Sequence, residues 1–366
     1  MAAKCISTFF LTKLSPGTCM MSSTRSISYQ CKKLMFKEFG DPLKVVYQAE
    51  ESVSEPSGNE ILVKMLVAPV NPADINIIQG TYPVKPELPA SPGFEGVGEV
   101  VALGSDVSGF AVGDRVVPNC DTIGTWKSFN KFSADGLLKV PKDMPIVEAA
   151  GLTSNPCTAY RMLKDFVQLK PGDVIIQNGA NSACGQNVIQ LCKAWNIVSV
   201  NVVRDRPNIN ELKDHLSSLG ADHILVEPEL RTTQLFKSKQ VPFPKLALNC
   251  VGGSNATEVL RHLGPKGIMV TYGGMSRNPV TAGTASFIFK DLSLRGFWMT
   301  RWHRENKDSP ARQEMMSDLV ELMKTKKIKA PAHKLVPIEK FDEALMNTVS
   351  VKGFAGFKYL LDFRSS

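Results

Sequence analysis

The alternation of apolar and polar residues changes character near the middle of the chain. From about Leu34 to Val140, short runs such as "EILVKMLVAPV", "GVGEVVALGS", "VGDRVVP" and "GLLKVP" have strand lengths and are cut by Pro, Gly and Asp. This stretch predicts a β-rich module. After Glu148 the period lengthens: "DVIIQN", "IVSVNVV", "HILV", "KLALNCV", "GIMVTYGG" and "LSLRGFWM" read as near-continuous apolar strands, with "CGQNVIQLCKAWN", "INELKDHLSSLG" and "ATEVLRHLG" carrying helical spacing between them. Strands apolar on both faces, separated by amphipathic helices, predict a parallel sheet covered on each side. Six of them suit an α/β doubly wound dinucleotide fold. A helix is expected from about Ala311 to Lys324, then "HKLVPI", a helix at "FDEALMNTV" and a last strand "FKYLLDF", which fold back onto the β-rich module.

Length supports two cores, because 366 residues exceed the size at which one core keeps growing and 43% apolar residues can fill both. No apolar run reaches the roughly 20 residues needed to cross a bilayer. The first acidic residue is Glu38, whereas Lys4, Lys13, Arg25, Lys32, Lys33 and Lys37 precede it among many Ser and Thr. That composition predicts a mitochondrial transit peptide over residues 1–30. A secretory reading of "CISTFFL" is cut short by Lys13 and Pro16, and an unstructured cytosolic leader is the other alternative.

Charge changes the picture little. Three of the eight net positive charges lie in the leader at Lys4, Lys13 and Arg25, and no arginine-rich tract with interleaved aromatics remains to suggest nucleic acid. The eight cysteines are scattered without a C-x-x-C pair or a Cys/His cluster. Buried free thiols in a reducing compartment are expected rather than a zinc site.

Candidate chemistry gathers at three places. "NGANSACGQNV", residues 178–188, follows a predicted strand and opens a helix, where backbone N–H groups favour a pyrophosphate. It departs from G-x-G-x-x-G, since Gly179 and Gly185 remain but Ser182 replaces a central glycine, so an ordinary tight turn also fits. At the end of the second sheet strand, Arg204 and Arg206 flank Asp205. Two guanidiniums suit a 2′-phosphate and therefore NADPH; a solvated Arg–Asp turn, or Asp205 on the ribose of NAD, is the other reading. Tyr82, in "IIQGTYPV", sits on a Gly/Pro-punctuated loop, where a phenol either anchors the loop or serves as an acid. His303 and His333 are expected to be structural or exposed.

Together the β-rich module, the inserted Rossmann half and the returning C-terminus resemble the medium-chain dehydrogenase/reductase superfamily over residues 31–366. The words "NPADINIIQGTYP", "NPCTAYRML", "NVVRDRP", "ALNCVGG", "VTYGGM" and "LRGFWM" are similar to those of its zinc-free mitochondrial trans-2-enoyl-CoA reductases, also described as enoyl-acyl-carrier-protein reductases. The resemblance implies a GroES-like catalytic domain over 31–154, a Rossmann domain over 155–300 and a C-terminal return to the catalytic domain over 301–366. Zinc relatives offer a cysteine, the histidine of "GHE" and a second cysteine where this chain has the Asn71-Pro72-Ala73-Asp74 stretch, Phe94 and Ser154. Glu95 alone cannot hold a catalytic zinc.

The resemblance also implies NADPH-dependent reduction of trans-2-enoyl thioesters in mitochondrial fatty-acid synthesis, with Tyr82 as proton donor and no metal. The cofactor site it implies is lined by Asn155, Asn181, Ser182, Ala183, Cys184, Arg204, Asp205, Arg206, Tyr272, Gly273, Gly274, Met275, Phe297, Trp298, Met299, Thr300 and Lys358. Phe297 and Trp298 read equally as sheet core. Related metal-free members reduce quinones or enones, and a cofactor-binding protein without turnover is a third reading. An acyl carrier protein would need a basic landing zone, for which Arg301, Arg304, Lys324, Lys326, Lys327 and Lys329 are the densest late basic text; a solvated face is the plain alternative. Relatives often form dimers through the edge of the Rossmann sheet.

Overall fold

The computed structural model describes residues 28–119, 124–349 and 357–365. The expected leader lies outside these residues except for Ser28–Gln30, which open the strand Ser28–Phe36. Cys5, Cys19 and Cys120 also lie outside them.

Six strands form the parallel sheet. In chain order they are Val174–Asn178, Val198–Val203, His223–Val226, Leu246–Asn249, Ile268–Thr271 and Ser293–Gly296. In space they run third, second, first, fourth, fifth, sixth, the order of a Rossmann sheet. The first and fourth strands are adjacent and parallel, with Ile175 opposite Leu246, so the topological switch point lies at their carboxyl ends. Val174, Ile175 and Ile176 are all buried, as the unbroken apolar run requires of a strand covered on both faces. Asn178 is buried at the end of that strand, and its amide donates to Asn249 and Asn255 Oδ1 at 2.8 Å, tying the switch point together.

The second sheet has seven strands and is largely antiparallel. Its central strand Glu60–Pro69 pairs with Val97–Leu103, with Phe129–Ser133 and, near its carboxyl end, with the late strand Lys358–Asp362. Leu360 faces Pro69 across that pairing, so the C-terminal segment completes the N-terminal sheet. One apolar cluster spans both sheets, holding Val67 and Val97 with Ile175, Leu246 and Val270, and the helix Pro310–Lys324 adds Met315, Leu319 and Met323.

One strand ends earlier than the apolar run suggests. "LSLRGFWM" is a strand only over Ser293–Gly296; Trp298 has extended backbone and caps the helix Met299–Glu305. Phe297 leaves the sheet and packs edge-on against Phe166, with ring centres 6.0 Å apart.

Candidate active site

Five segments converge where the two sheets meet. The turn after Glu60–Pro69 delivers Asn71 and the short helix Pro72–Ile78, whose first turn is fixed by Asp74, which accepts from the Asn71 backbone N–H at 2.8 Å. The other Asp74 oxygen accepts from the Phe94 backbone N–H at 3.1 Å, so one buried carboxylate positions two segments. Gly93 precedes them with φ +103°, and a Cβ there would lie 2.3 Å from Thr125 Oγ1. Only glycine allows "PGFEG" to turn this tightly against Thr125 and Trp126.

An open cavity of about 420 Å³ is lined by Asn71, Tyr82, Phe94, Glu95, Ser154 and His303, with Met299 and Thr300 completing one side. Tyr82 is half-buried against Phe94, ring centres 5.6 Å apart, and meets Trp298 edge-on at 6.0 Å. The Trp298 indole N–H donates to the Tyr82 hydroxyl oxygen at 2.8 Å. The phenol therefore accepts from the indole and keeps its own proton to give elsewhere. Trp298 thus packs behind Tyr82 beyond the end of the strand rather than continuing the sheet.

Glu95, which alone cannot hold a zinc, is 1% exposed and is held by hydrogen bonds on both oxygens. One oxygen accepts from the Ser154 backbone N–H at 2.8 Å and Thr153 Oγ1 at 3.4 Å; the other accepts from the Asn71 amide at 2.8 Å. On its far side Asn71 Oδ1 accepts from Lys358 Nζ at 2.8 Å and stands 3.5 Å from Asn155 Nδ2. Burial pushes the Glu95 carboxyl up against the opposing pull of Lys358, and burial pushes the Lys358 ammonium down. Asp74 is pushed up to about 7, first by burial and then by the Glu95 charge. His303, expected to be structural, is buried in the cavity wall. Arg312 Nε donates to its Nδ1 at 3.3 Å, which leaves Nε2 to carry the proton and donate to Thr153 O at 3.0 Å.

A second cavity of about 400 Å³ lies beyond this wall and is lined by Asn155, Ala183, Asn187 and Lys358 among others. The start of the helix Ala183–Ala194 opens there, and Ser182 caps it by accepting from the Gly185 N–H at 3.1 Å. A Cβ on Gly185 would sit 2.6 Å from the Ala180 carbonyl oxygen, and one on Gly179 would sit 2.5 Å from Cys250 Sγ. The loop therefore packs as closely as a pyrophosphate cradle does, even with Ser182 where a central glycine is usual.

Other predicted residues surround the same carboxyl edge of the parallel sheet. Arg204, Asp205 and Arg206 follow the strand Val198–Val203, and Asp205 turns its carboxylate onto the Arg206 backbone N–H at 2.8 Å. Burial and the Arg204 charge lower the proton affinity of Arg206, a strain that an anion would relieve. Tyr272 follows the strand Ile268–Thr271; its enclosed hydroxyl lies against the Cys184 and Cys250 thiols, and burial raises it. Gly273 packs on Cys250, Gly274 faces open space, and Met275 is half exposed. Asn181 is buried and its carbonyl accepts from Gln186. These features fit a phosphorylated dinucleotide: a close backbone cradle at a helix start, and two guanidiniums just beyond the second strand of the sheet.

A metal does not fit. Phe94 has no donor atom, both Glu95 oxygens are taken by N–H and O–H donors, and no group of three or more His, Cys, Asp or Glu is gathered among the described residues.

Comparison with known proteins agrees with this geometry. Residues 57–142 match the alcohol dehydrogenase GroES-like domain and residues 183–320 the zinc-binding dehydrogenase domain. The mitochondrial enoyl-[acyl-carrier-protein] reductase of Rattus norvegicus is 48% identical over 333 residues, covering 90% of this chain and 88% of the relative. The solved Etr1p/NADP/crotonyl-CoA complex superposes with a TM-score of 0.84 at 32% identity, covering 91% of this chain and all of that one. The mitochondrial 2-enoyl thioester reductase Etr1p/Etr2p heterodimer from Candida tropicalis gives the same TM-score, identity and coverage. The chain therefore belongs to the mitochondrial enoyl-[acyl-carrier-protein] reductases, oxidoreductases of the medium-chain dehydrogenase/reductase superfamily.

Proposed function

We propose that this protein reduces trans-2-enoyl thioesters to saturated acyl thioesters with NADPH in mitochondrial fatty-acid synthesis, and that Tyr82 gives the proton to C2. The observation that carries the reading is the Tyr82 hydroxyl, held at 2.8 Å by the Trp298 N–H inside the cavity that separates Phe94 from Met299. When bound, the cofactor supplies the hydride that goes to C3.

The chain's own part is positioning and proton transfer. Ala183 and its neighbours at the helix start, Asn155 and Lys358 hold the cofactor across the second cavity, and Arg204 with Arg206 takes the 2′-phosphate. Phe94, where zinc relatives carry a metal ligand, gives the reacting alkene an apolar wall. Tyr82 loses its proton to C2 as charge develops on the thioester, and the Trp298 N–H supports the oxygen left behind. Water then restores the phenol.

Two surfaces extend the reading. Arg301 and Arg304 are exposed one turn apart on the helix whose other face supplies Met299 and His303 to the cavity, which suits an acidic acyl carrier protein; Lys324 is already paired with Asp143 at 3.1 Å. The strand Ser293–Gly296 ends the parallel sheet, and Leu294, Phe287, Ile288 and Phe289 are exposed beside it, with Phe289 80% exposed. A second copy pairing there would cover them as a homodimer.

The deciding experiment is steady-state cofactor oxidation by purified residues 31–366, with crotonyl thioesters on both carriers and with a quinone. Turnover of the thioesters with NADPH supports the reading, whereas turnover of the quinone alone, or none, overturns it.

A further inference from the structure

We infer that Glu95 is a positioning residue that fixes the orientation of the Asn71 amide and thereby the grip of Lys358 on the cofactor. The inference rests on the assignment of Lys358 to the cofactor cleft. The two cavities share one wall, with Glu95, Asn71 and Ser154 facing the Tyr82 side and Lys358 and Asn155 the other. Across it runs a single chain of bonds: Ser154 N–H to Glu95, Asn71 Nδ2 to Glu95, and Lys358 Nζ to Asn71 Oδ1.

The direction of that chain is forced by donor and acceptor types. One Glu95 oxygen accepts from the Ser154 N–H and the other from Asn71 Nδ2, so Glu95 meets the NH₂ end of Asn71. That turns Oδ1 toward Lys358, whose ammonium only donates. Asn71 is 6% exposed and Glu95 1%, so water offers neither a substitute partner. The Asn71 backbone is also fixed, because its N–H donates to Asp74. Rotation of the Asn71 side chain is the freedom left, and Glu95 removes it.

Glu95→Gln keeps the shape but brings an NH₂ group. If its oxygen keeps the Ser154 N–H, its NH₂ faces Asn71, which must flip and present its own NH₂ to the Lys358 ammonium. The grip should loosen without any change at a residue touching the cofactor. NADPH dissociation, measured by fluorescence titration without acyl substrate, should weaken about tenfold, as loss of one charge-assisted bond implies. Lys358→Met should weaken it similarly, and the two changes together should be no worse than either alone.

A polarity swap gives the sharper test. In Glu95→Gln/Asn71→Asp the new amide donates to the new carboxylate, which again accepts from Lys358, so binding should return to within about threefold of the parent, a residual well under the tenfold loss. Unchanged binding in Glu95→Gln, or a swap no better than Glu95→Gln alone, would overturn the inference. If Lys358→Met itself leaves binding unchanged, the cofactor assignment fails and the inference with it. Should Glu95→Gln not fold, Asn71→Leu removes the same acceptor and must weaken NADPH binding equally; parent-like affinity there would overturn the proposal.

Discussion

The glycine-bearing loop before the helix Ala183–Ala194 and the Tyr82 cavity lie on opposite sides of one wall and are built on opposite principles. The loop is made of backbone: Gly179, Gly185 and a Ser182 cap allow close approach at the start of one helix, within a few residues of sequence. The cavity is made of side chains from distant segments, with Tyr82, Phe94, Glu95, Ser154 and His303 meeting only in the fold. The first tolerates a change of side-chain type wherever a Cβ fits, as Ser182 demonstrates. The second should tolerate almost none.

Experiments can break that contrast or sharpen it. The largest effect is expected at Tyr82→Phe, which keeps the ring against Phe94 and removes one proton: kcat on enoyl thioesters should fall roughly 10²- to 10⁴-fold while NADPH binding persists. An unchanged kcat would take the proton donor away from Tyr82. On the backbone-built side, Gly185→Ala places a methyl 2.6 Å from a carbonyl oxygen. Overpacking of this kind costs about 1–3 kcal/mol, so NADPH should bind about ten- to a hundredfold more weakly, with kcat at saturation little altered. Equal losses in kcat and affinity would show that the loop also shapes the Tyr82 side.

The cofactor's outer end should respond more mildly. Replacing Arg204 and Arg206 by Ala should raise the KM for NADPH about tenfold and leave that for NADH nearly unchanged, because charge-assisted bonds to phosphate are what is removed. Parallel losses for both cofactors would count against a 2′-phosphate contact.

Smaller still is a pH effect on the cavity side. Asp74 has a folded pKa raised to about 7, above the ordinary carboxylate value, so the folded state holds a proton that the unfolded state releases. Its contribution to stability is therefore greatest below about pH 4, declines as pH rises toward 7 and is flat above. The apo melting temperature of Asp74→Asn should vary less across that window than the parent's, and identical slopes would remove Asp74 as the cause. Chelators should produce the smallest effect, none on kcat, since Phe94 and the occupied Glu95 oxygens leave no metal donor set. A stoichiometric metal needed for turnover would contradict that.

Legibility in the sequence follows the same division. The parallel sheet is readable because strands buried on both faces leave unbroken apolar runs, as "DVIIQN" does. The loop is readable because glycine spacing survives a strand-to-helix junction. Glu95 looks isolated in one dimension because a search for metal ligands asks only for histidine and cysteine nearby, whereas its partners are amides and backbone N–H groups 24 to 59 residues away. His303 lacks any local signal, since its tautomer is set by Arg312 on the next helix. For Trp298 the apolar run misleads: the strand stops at Gly296, and the aromatic turns toward Tyr82 instead of continuing the sheet. The Asn71–Asp74 cap was the one available clue, an N-x-x-D pattern that fixes a helix start beside the cavity.

The antiparallel pairing of Leu360 with Pro69 has a kinetic consequence. It closes a loop of about 290 residues, and the whole Rossmann sheet lies inside that loop. Contacts of such high sequence separation form slowly, because chain entropy is lost before the contacts repay it, whereas each parallel pairing inside the loop joins strands far closer in sequence. Lys358 arrives with the closing strand. In refolding, recovery of secondary structure should therefore run ahead of recovery of catalysis, since the parallel sheet can assemble while the lysine that completes the cleft is still without its place.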